Sequence, residues 1–578
     1  MRSANAISRQ ASPKKFASPA DPSFANSALM WAKRLAIPAL LVAIAFTVYV
    51  PSLKFSFILD DHRFTGDPRI QESGHFFDYF SNYVWAQFTG GPPSFYRPVF
   101  VLWMRLNYMI SDLSPWGWHL LSIVKHLLVA IAFGLLVYRL LRDRVAAFAA
   151  ATLFVLHPSH TESVSWVTVP DPLLTLGLML SLLFYLRYAD GSTASLPIKK
   201  PQKAKREAGG SLGIWLMASA AAYFAALLAK ETAIVFPAVI LVAVIGSEGT
   251  LADGEKGSAK KRSGAKQRLV PLLVVFGGTT LVYLLLRWNA LDGKLAAPTQ
   301  HLPSSTIILS WPATLWFYVK VLLWPVKSYS FADPTLVDHF SLNEVVAPLL
   351  GLICCGVALA AVSVWMWRTA QKESAERDAA RIKFGVLAGI LLLILPLLLA
   401  LNLNALNPGD FLHGRYVYLP LAGFCMLFAT GVHLTRRFRP VLMGIALAAA
   451  IAFLPFTWTQ EKQWQDDSSV FTTAHQLAPH NVPVAKNLEN THVRAALLIA
   501  DDGRCGEAMP VFNEAIHSYP EEWYAWAGRG ICLVQSNDLV AAEEAFHRAA
   551  DLSHDPTVIQ QWQALRAHMG LPTSSPVN

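Results

Sequence analysis

Long apolar stretches recur along most of this chain, and they constrain its fold more than any other feature. A helix needs about 20 apolar residues to cross a bilayer. Only 15% of the residues are charged, whereas soluble domains carry roughly 25%. We therefore predict an all-α fold, in which a polytopic membrane helix bundle is followed by a soluble tail. The eleven predicted spans are 35–53, 119–140, 145–157, 172–188, 212–229, 232–246, 269–287, 346–367, 384–404, 415–434 and 440–458.

Basic residues cluster in alternate loops and predict the orientation of the helices. The clusters lie at 142–144, 199–206, 260–268, 368–383 and 436–439. All of them fall on one side if the N-terminal segment starts there, and the positive-inside rule makes that side cytoplasmic. The opposite side then holds the other loops and the tail. We interpret the aromatic segment 306–324 as an interfacial or re-entrant helix, because a crossing there would reverse the side of every later loop.

The chain after residue 460 has a soluble composition and an internal repeat. Three residues recur after 34 positions, first as Ala508, Phe512 and Ala515 and then as Ala542, Phe546 and Ala549. This period is typical of tetratricopeptide repeats, which stack helix pairs into an α-solenoid. We therefore divide the chain into a polar cytoplasmic segment 1–34, a membrane domain 35–459 and a repeat domain 460–578. The tail contains Cys505 and Cys532, so one disulfide can form there.

Two adjacent carboxylates, Asp60 and Asp61, follow the first predicted span. Charged groups at a membrane edge are costly unless they are solvated or used. The pair can be the solvated start of a loop, or it can supply a catalytic base at the rim of a membrane-embedded site. The same side holds further polar residues that suit phosphate binding or proton transfer. These are Arg97, His157, His160, Glu162, Asp171, Lys230, Glu231 and Arg415.

Two groups among these residues also have simpler interpretations. His157, His160 and Glu162 are residue types that ligate metals. The proline between the two histidines disfavours a regular helical pair, so a capping loop stays open as the alternative. Lys230 and Glu231 can assist at the site or form an ion pair at a helix end. The sequence contains no Gly-rich phosphate loop. It identifies no cofactor with certainty, and binding of a divalent metal stays open.

Seven short motifs follow one another along the chain. They are FILDD at 57–61, YRPV at 96–99, RLNY at 105–108, HPSHTESVSW at 157–166, DPLL at 171–174, AKE at 229–231 and RYVYLP at 415–420. With these motifs and its repeat tail, the chain resembles the transmembrane and tetratricopeptide-repeat O-mannosyltransferases and their bacterial relatives. The resemblance implies the membrane C-type glycosyltransferase fold (GT-C) and a sugar donor linked to polyprenyl phosphate.

The resemblance also implies roles for individual residues. In such enzymes an acidic residue of the first outer loop is the base, which points to Asp60 or Asp61, with Asp60 favoured as the first of the pair. Arg415 would hold the lipid phosphate together with two assisting cations. The chain departs from the family at Gly414, where an acidic residue usually precedes the Arg. The assisting cations would be Arg97 and Lys230, and the accessory residues His157, His160, Glu162, Asp171 and Glu231.

The implied reaction is one inverting displacement, in which the acceptor hydroxyl gives its proton to the base and polyprenyl phosphate leaves. The expected sugar is mannose, and the expected acceptor is a protein Ser or Thr, with a lipid or envelope glycan as the alternative. The tail would bind acceptor peptides or partner proteins.

We expect membrane lipids and no nucleic acid as further partners. The expected location is a bacterial inner membrane, with the site and the tail in the periplasm. The competing hypothesis is a non-catalytic membrane scaffold for envelope assembly.

Overall fold

The computed structural model describes residues 38–87, 95–193, 202–249, 259–293, 300–325, 336–406 and 412–572. These residues form helices and no β-strand, which confirms the predicted all-α class. The predicted cytoplasmic segment 1–34 and the basic residues 199–200 lie outside them. The membrane part contains α1 Pro38–Lys54, α2 Asp61–Thr65, α3 Pro68–Gln71, α4 Asp78–Ser81, α5 Pro98–Ser111, α6 Pro115–Leu141, α7 Arg144–Leu156, α8 Thr161–Ser165, α9 Asp171–Thr193, α10 Gln202–Ala229, α11 Phe236–Gly249, α12 Ala259–Ala290, α13 Ser304–Leu323, α14 Ala347–Ala370, α15 Glu376–Leu399, α16 Tyr418–Leu434 and α17 Arg439–Glu461.

Eight helices of the described chain are long and apolar enough to cross a membrane, namely α6, α9 and α12 to α17. Four shorter apolar helices, α1, α7, α10 and α11, accompany them. Each of the eleven predicted spans coincides with one of these helices, which confirms a polytopic helix bundle. Helix α6 is central, since 61% of its apolar window is buried, whereas the windows of α14 and α17 are only 11% and 17% buried. The outer helices therefore present their apolar sides to lipid.

Ion pairs mark one face of the bundle. Arg381, at the start of α15, and Arg139, at the end of α6, contact Asp190 near the end of α9 at 2.5 and 3.7 Å. Arg439, at the start of α17, contacts Asp143 just before α7 at 2.7 Å. These residues come from loops that the basic clusters place on one side of the membrane. The opposite ends of the same helices hold the predicted site residues.

Helix α13 has both of its ends at the face that carries the predicted site. At its start, the Leu302 amide donates to Asn404 Oδ1 at 2.8 Å, and Asn404 follows the site end of α15. At its end, the Leu322 carbonyl accepts from His157 Nε2 at 3.1 Å, and His157 follows the site end of α7. A straight crossing would put these ends about 30 Å apart on opposite faces. The contacts therefore favour the predicted interfacial or re-entrant helix, although its length and composition would allow a span.

The tail is a series of helices, each packed against the next. Left-handed backbone occurs at Gly503 (φ 81°) and Asn537 (φ 63°), 34 positions apart, where α19 and α21 end. A side chain at Gly530 would collide with the Phe546 ring, so the helices approach closely there. This repetition is the one that the sequence period predicts, and its assignment to the tetratricopeptide class stays a prediction. The helices are α18 Asp467–Leu477, α19 Val482–Asp501, α20 Cys505–Ser518, α21 Trp523–Gln535, α22 Leu539–Ser553 and α23 Pro556–His568.

The tail begins without a flexible linker. Helix α17 ends at Glu461, so the predicted domain boundary at 459–460 lies inside its last turn. Five residues separate Glu461 from the first residue of α18, Asp467. A disulfide between Cys505 and Cys532 joins α20 to α21, with the two Cα atoms 5.2 Å apart.

Candidate functional site

All ten predicted site residues lie at one face of the bundle, where the acidic pair follows α1. Asp61 is fully buried, and its carboxylate accepts hydrogen bonds from the Ile58 amide at 3.1 Å and the Thr168 amide at 3.2 Å. The Thr168 hydroxyl donates a third hydrogen bond at 2.7 Å. Asp60 is partly exposed. The structure therefore separates the two carboxylates, with one anchored inside the protein and one accessible at the surface of the site.

Burial raises the pKa of Asp61 to about 7, against the lowering effect of the hydrogen bonds from Thr168 and Ile58. Its three hydrogen-bond donors are neutral groups, so they compensate only part of the cost of removing the charge from water. Asp61 therefore gains or loses a proton near neutral pH. Asp60 lies next to a group whose charge changes under physiological conditions.

A second cluster surrounds Glu162, which is also fully buried. His413 Nδ1 lies 2.8 Å from Glu162 Oε1, and the Arg415 amide donates to Oε2 at 3.0 Å. The Arg415 guanidinium lies 3.4 Å from Oε1. Burial acts to raise the pKa of Glu162, but His413 and Arg415 together hold it below its ordinary value. A Cβ at Gly414 would lie 3.3 Å from Glu162 Oε2, so Glu162 supplies the carboxylate beside Arg415.

The other two predicted cations form ion pairs with predicted accessory residues. Lys230 donates to both carboxylate oxygens of Asp171, at 2.7 and 2.8 Å. Arg97 makes two parallel hydrogen bonds to Glu231, at 2.9 and 2.6 Å. The Tyr416 ring connects the clusters, because the Lys230 ammonium lies 5.1 Å and the Arg415 guanidinium 5.7 Å from its centre. Three cations and three carboxylates thus form one continuous charged cluster.

The two histidines of the 157–166 motif do not join Glu162 in a metal site. His157 contacts the Ser159 hydroxyl at 2.8 Å and the Leu322 carbonyl, and burial lowers its pKa to about 4. His160 is packed among Phe154, Tyr418 and other rings, and burial lowers its pKa well below 6.5. No group of three metal-ligating side chains occurs within the described ranges. The capping and packing interpretation therefore accounts for these histidines.

Lys125 is a residue that the sequence analysis missed. It lies inside α6 and is buried, with its ammonium 3.4 Å from the Val167 carbonyl and 3.3 Å from the Val169 carbonyl. These carbonyls flank Thr168, so Lys125 supports the segment that binds Asp61. Its charge is also attracted by Asp61 and Asp171. A lysine within an apolar span was the available signal, because such residues are rare and usually functional.

Similar proteins were found by sequence, although no protein-family model matches the chain. It is 27% identical over 514 residues to the protein O-mannosyl-transferase Tmtc1 of Drosophila melanogaster, with 76% of this chain and 57% of the relative aligned. It is 25% identical over 532 residues to human TMTC3, with 89% and 54% aligned. The chain thus spans about half the length of these curated relatives. The resemblance inferred from the motifs is confirmed.

Among solved structures, an Archaeoglobus fulgidus oligosaccharyltransferase in the apo form aligns with a TM-score of 0.38 and 14% identity, over 79% of this chain and 60% of that one. The archaeal oligosaccharyltransferase AglB, in complex with an inhibitory peptide and a dolichol-phosphate, aligns with a TM-score of 0.40 and 14% identity over the same shares.

Proposed function

We propose that the chain is a membrane-embedded glycosyltransferase of the GT-C type that moves mannose from a polyprenyl-phosphate carrier to a protein Ser or Thr hydroxyl. The observation that carries this proposal is the arrangement of one face, which holds an acidic pair and a cluster of three cations drawn from three different loops. The names of the curated relatives, protein O-mannosyl-transferases, support transfer of mannose to a protein hydroxyl. The membrane domain would be the catalytic unit.

Asp60 is the proposed base. The acceptor hydroxyl must come within hydrogen-bond distance of the base, and Asp60 is the partly exposed member of the pair whereas Asp61 is fully buried. The hydroxyl oxygen forms a bond to the anomeric carbon as the bond from that carbon to the phosphate oxygen breaks. The hydroxyl proton goes to Asp60, and the bonding electrons leave with the polyprenyl phosphate. A single displacement of this kind inverts the anomeric configuration.

Arg415 is the proposed main ligand of the lipid phosphate, because guanidinium groups match phosphate oxygens in pairs. Its side chain is 16% exposed, compared with 8% for Lys230, and its contact to Glu162 is 3.4 Å, longer than the 2.7 Å contact of Lys230 to Asp171. Arg415 can thus turn toward an anion at a smaller cost. Lys230 and Arg97 would contribute positive charge near the leaving oxygen, where preorganised charge stabilises the transition state.

The site would face a non-cytoplasmic compartment, the periplasm if the source is a bacterium. The tail contacts the site face directly, since Asp467 reaches the backbone of Leu59. The tail contains the Cys505–Cys532 disulfide, and disulfides persist in oxidising compartments. The basic loops at the opposite face agree with a cytoplasmic location. A helical solenoid beside the site suits an extended peptide, which favours protein acceptors over lipid or envelope-glycan acceptors.

The test is a donor panel with the purified full chain in detergent. Each assay contains a Ser/Thr-containing acceptor peptide. Polyprenyl-phosphate-mannose is offered first, then glucose and aminosugar donors, each with and without a chelator, and release of free polyprenyl phosphate that depends on the peptide is measured. We expect release from the mannose donor, and the chelator arm decides whether a divalent metal takes part. Release from another donor only would correct the sugar. No release from any donor would favour the non-catalytic scaffold.

A further inference from the structure

Asp467, the first residue of α18 in the tail, contacts the acidic loop on both sides of the carboxylate pair. Asp467 Oδ1 accepts a hydrogen bond from the Leu59 amide at 2.8 Å, directly before Asp60. Asp467 Oδ2 lies 2.9 Å from His62 Nε2, directly after Asp61. One tail carboxylate therefore brackets the two residues at the centre of the proposed site, across a sequence separation of about 400 residues.

The backbone at this contact is strained. Leu59 has φ 51°, in the left-handed region that a bulky side chain rarely adopts. Such a conformation persists only when the surrounding structure holds it, and it is typical of functional sites. The Asp467 oxygen holds it by accepting from the Leu59 amide itself. If this hydrogen bond were lost, we expect Leu59 to relax toward ordinary backbone and Asp60 to change its direction.

The tail is firmly seated against this loop, so Asp467 can act as a fixed point. The Ser56 amide donates to the Gln465 carbonyl at 2.9 Å. Phe55 and Ile58 from the loop share one apolar cluster with Trp464 and Val470 from the start of the tail. The hydrogen bond and the apolar cluster leave little freedom between the two parts.

We infer that Asp467 is a positioning residue of the proposed transferase, which fixes the direction of Asp60 and thereby makes the site depend on how the tail is docked. This inference rests on the proposed function. Asp467 would not touch the substrate, but would act through the Leu59 backbone and the His62 ring. The tail would then contribute to catalysis directly, in addition to any role in binding the acceptor.

The His62 half of the contact depends on pH. The hydrogen bond to Asp467 raises the pKa of His62 above 6.5. Partial burial and the charge of Arg494 act to lower this pKa, whereas the charges of Asp467 and Asp61 act to raise it. A folded pKa above the unfolded value means that this contribution is fully present below about pH 6.5 and is lost as pH rises through the folded pKa. The Leu59 amide is not a titratable group. The tether therefore weakens as pH rises through the folded pKa of His62, without being released.

The test compares Asp467→Ala and Asp467→Asn with Asp466→Ala. Asp466 is the matched control, because it is the neighbouring carboxylate and caps the helix that Asp467 begins, by accepting from the Ser469 amide at 2.7 Å. Asp467→Ala removes both halves of the tether, whereas Asp467→Asn keeps an oxygen for the Leu59 amide and loses the charge beside His62. We expect kcat for mannose transfer to fall about 30-fold in the Ala variant and about threefold in the Asn variant, because small misplacements of reacting groups cost up to about 100-fold. The KM for the donor should change by less than about twofold in both variants.

Hydrogen exchange of the amides in the 57–63 segment gives a second readout that does not need activity. We expect exchange at Leu59 to be about tenfold faster in Asp467→Ala and unchanged in Asp466→Ala, because an amide loses protection when its acceptor is removed. Unchanged exchange and unchanged kcat in Asp467→Ala would overturn the inference, as would equal losses in Asp466→Ala. If the wild type transfers no sugar, the proposed function fails, and the exchange result alone decides whether Asp467 holds the loop.

Discussion

Asp61 and Glu162 are both fully buried carboxylates at the same face, yet their environments shift their pKa values in opposite directions. Asp61 accepts hydrogen bonds from neutral donors, and burial raises its pKa to about 7. Glu162 lies against His413 and Arg415, which hold its pKa below the ordinary value. The difference shows two kinds of acidic site on one face. The loop after α1 is suited to proton transfer, whereas the cluster around Arg415 keeps its charges and is suited to holding an anion.

The largest effect should come from the exposed member of the loop pair. We expect Asp60→Asn to lower kcat for sugar transfer about 1,000-fold, because a positioned base contributes roughly 100- to 10,000-fold. Donor binding, measured with radiolabelled polyprenyl-phosphate-mannose, should change less than threefold. Asp78→Asn is the matched control, an exposed carboxylate in the same loop. Equal activity of Asp60→Asn and Asp78→Asn would show that Asp60 is not the base.

The cluster of ion pairs should respond through stability. Lys230 and Asp171 are buried together, with side chains 8% and 7% exposed. Lys230→Met leaves the Asp171 charge buried without this cation, which costs about 3–5 kcal/mol in comparable cases. We expect a clear drop in the thermal unfolding midpoint in detergent. Adding Asp171→Leu to Lys230→Met should restore most of the loss, and a double variant less stable than Lys230→Met would contradict a buried ion pair.

The anion-binding role of the same cluster is tested at its most exposed cation. We expect Arg415→Ala to lower kcat/KM for the donor about 100-fold, since removal of one preorganised donor typically costs 100- to 1,000-fold. Arg415→Lys should recover part of this loss, because it keeps the charge but not the paired N–H geometry. The measurement is initial rate against donor concentration. If the initial rate of Arg415→Ala depended on donor concentration as that of the wild type does, Arg415 would not be part of the phosphate site.

The last prediction concerns the pH dependence of stability, which should have opposite signs in the two regions. The folded pKa of Asp61 is about 7 and its ordinary value is 3.8. Its contribution to the free energy of unfolding is therefore full below about pH 4 and is lost as pH rises to about 7. Glu162 has a lowered pKa, so its contribution is present above its ordinary value of 4.5 and is lost as pH falls.

Thermal unfolding midpoints between pH 4 and pH 8 test these signs in Asp61→Asn and Glu162→Gln. Relative to the wild type, Asp61→Asn should lose less stability as pH rises, and Glu162→Gln should lose less as pH falls. Each kcal/mol corresponds to roughly 2–4 °C for a large domain. Parallel curves for the two variants would show that the carboxylates do not differ as described.

Local patterns in the sequence were sufficient to predict the apolar helices of the bundle, but not α2 to α5 and α8 between them. The 34-residue period predicted the repeat in the tail, and the turns at Gly503 and Asn537 follow the same period. Alternating basic loops also grouped the ten site residues at one face, because sidedness depends only on the number of crossings between them. The short motifs indicated the related proteins because each motif is continuous in sequence.

The contacts within the site could not be predicted, because they join distant parts of the chain. Glu162 and Arg415 are 253 positions apart, and Arg97 and Glu231 are 134 apart. No periodicity links such pairs, so metal and capping roles both stayed open for the 157–162 segment, and its pairing with Arg415 was not indicated. Lys125 was overlooked because the apolar residues around it dominated the pattern.

The most direct test of the account is the product of the wild-type reaction. The purified chain is incubated with polyprenyl-phosphate-mannose and a Ser/Thr-containing peptide in a single turnover, and the mannosylated peptide, the released lipid and the anomeric configuration are measured. The account predicts one polyprenyl phosphate released for each mannose transferred to a hydroxyl, with inversion at the anomeric carbon. Retained configuration, or lipid release without transfer to any hydroxyl of the peptide, would contradict a single displacement assisted by the acidic loop.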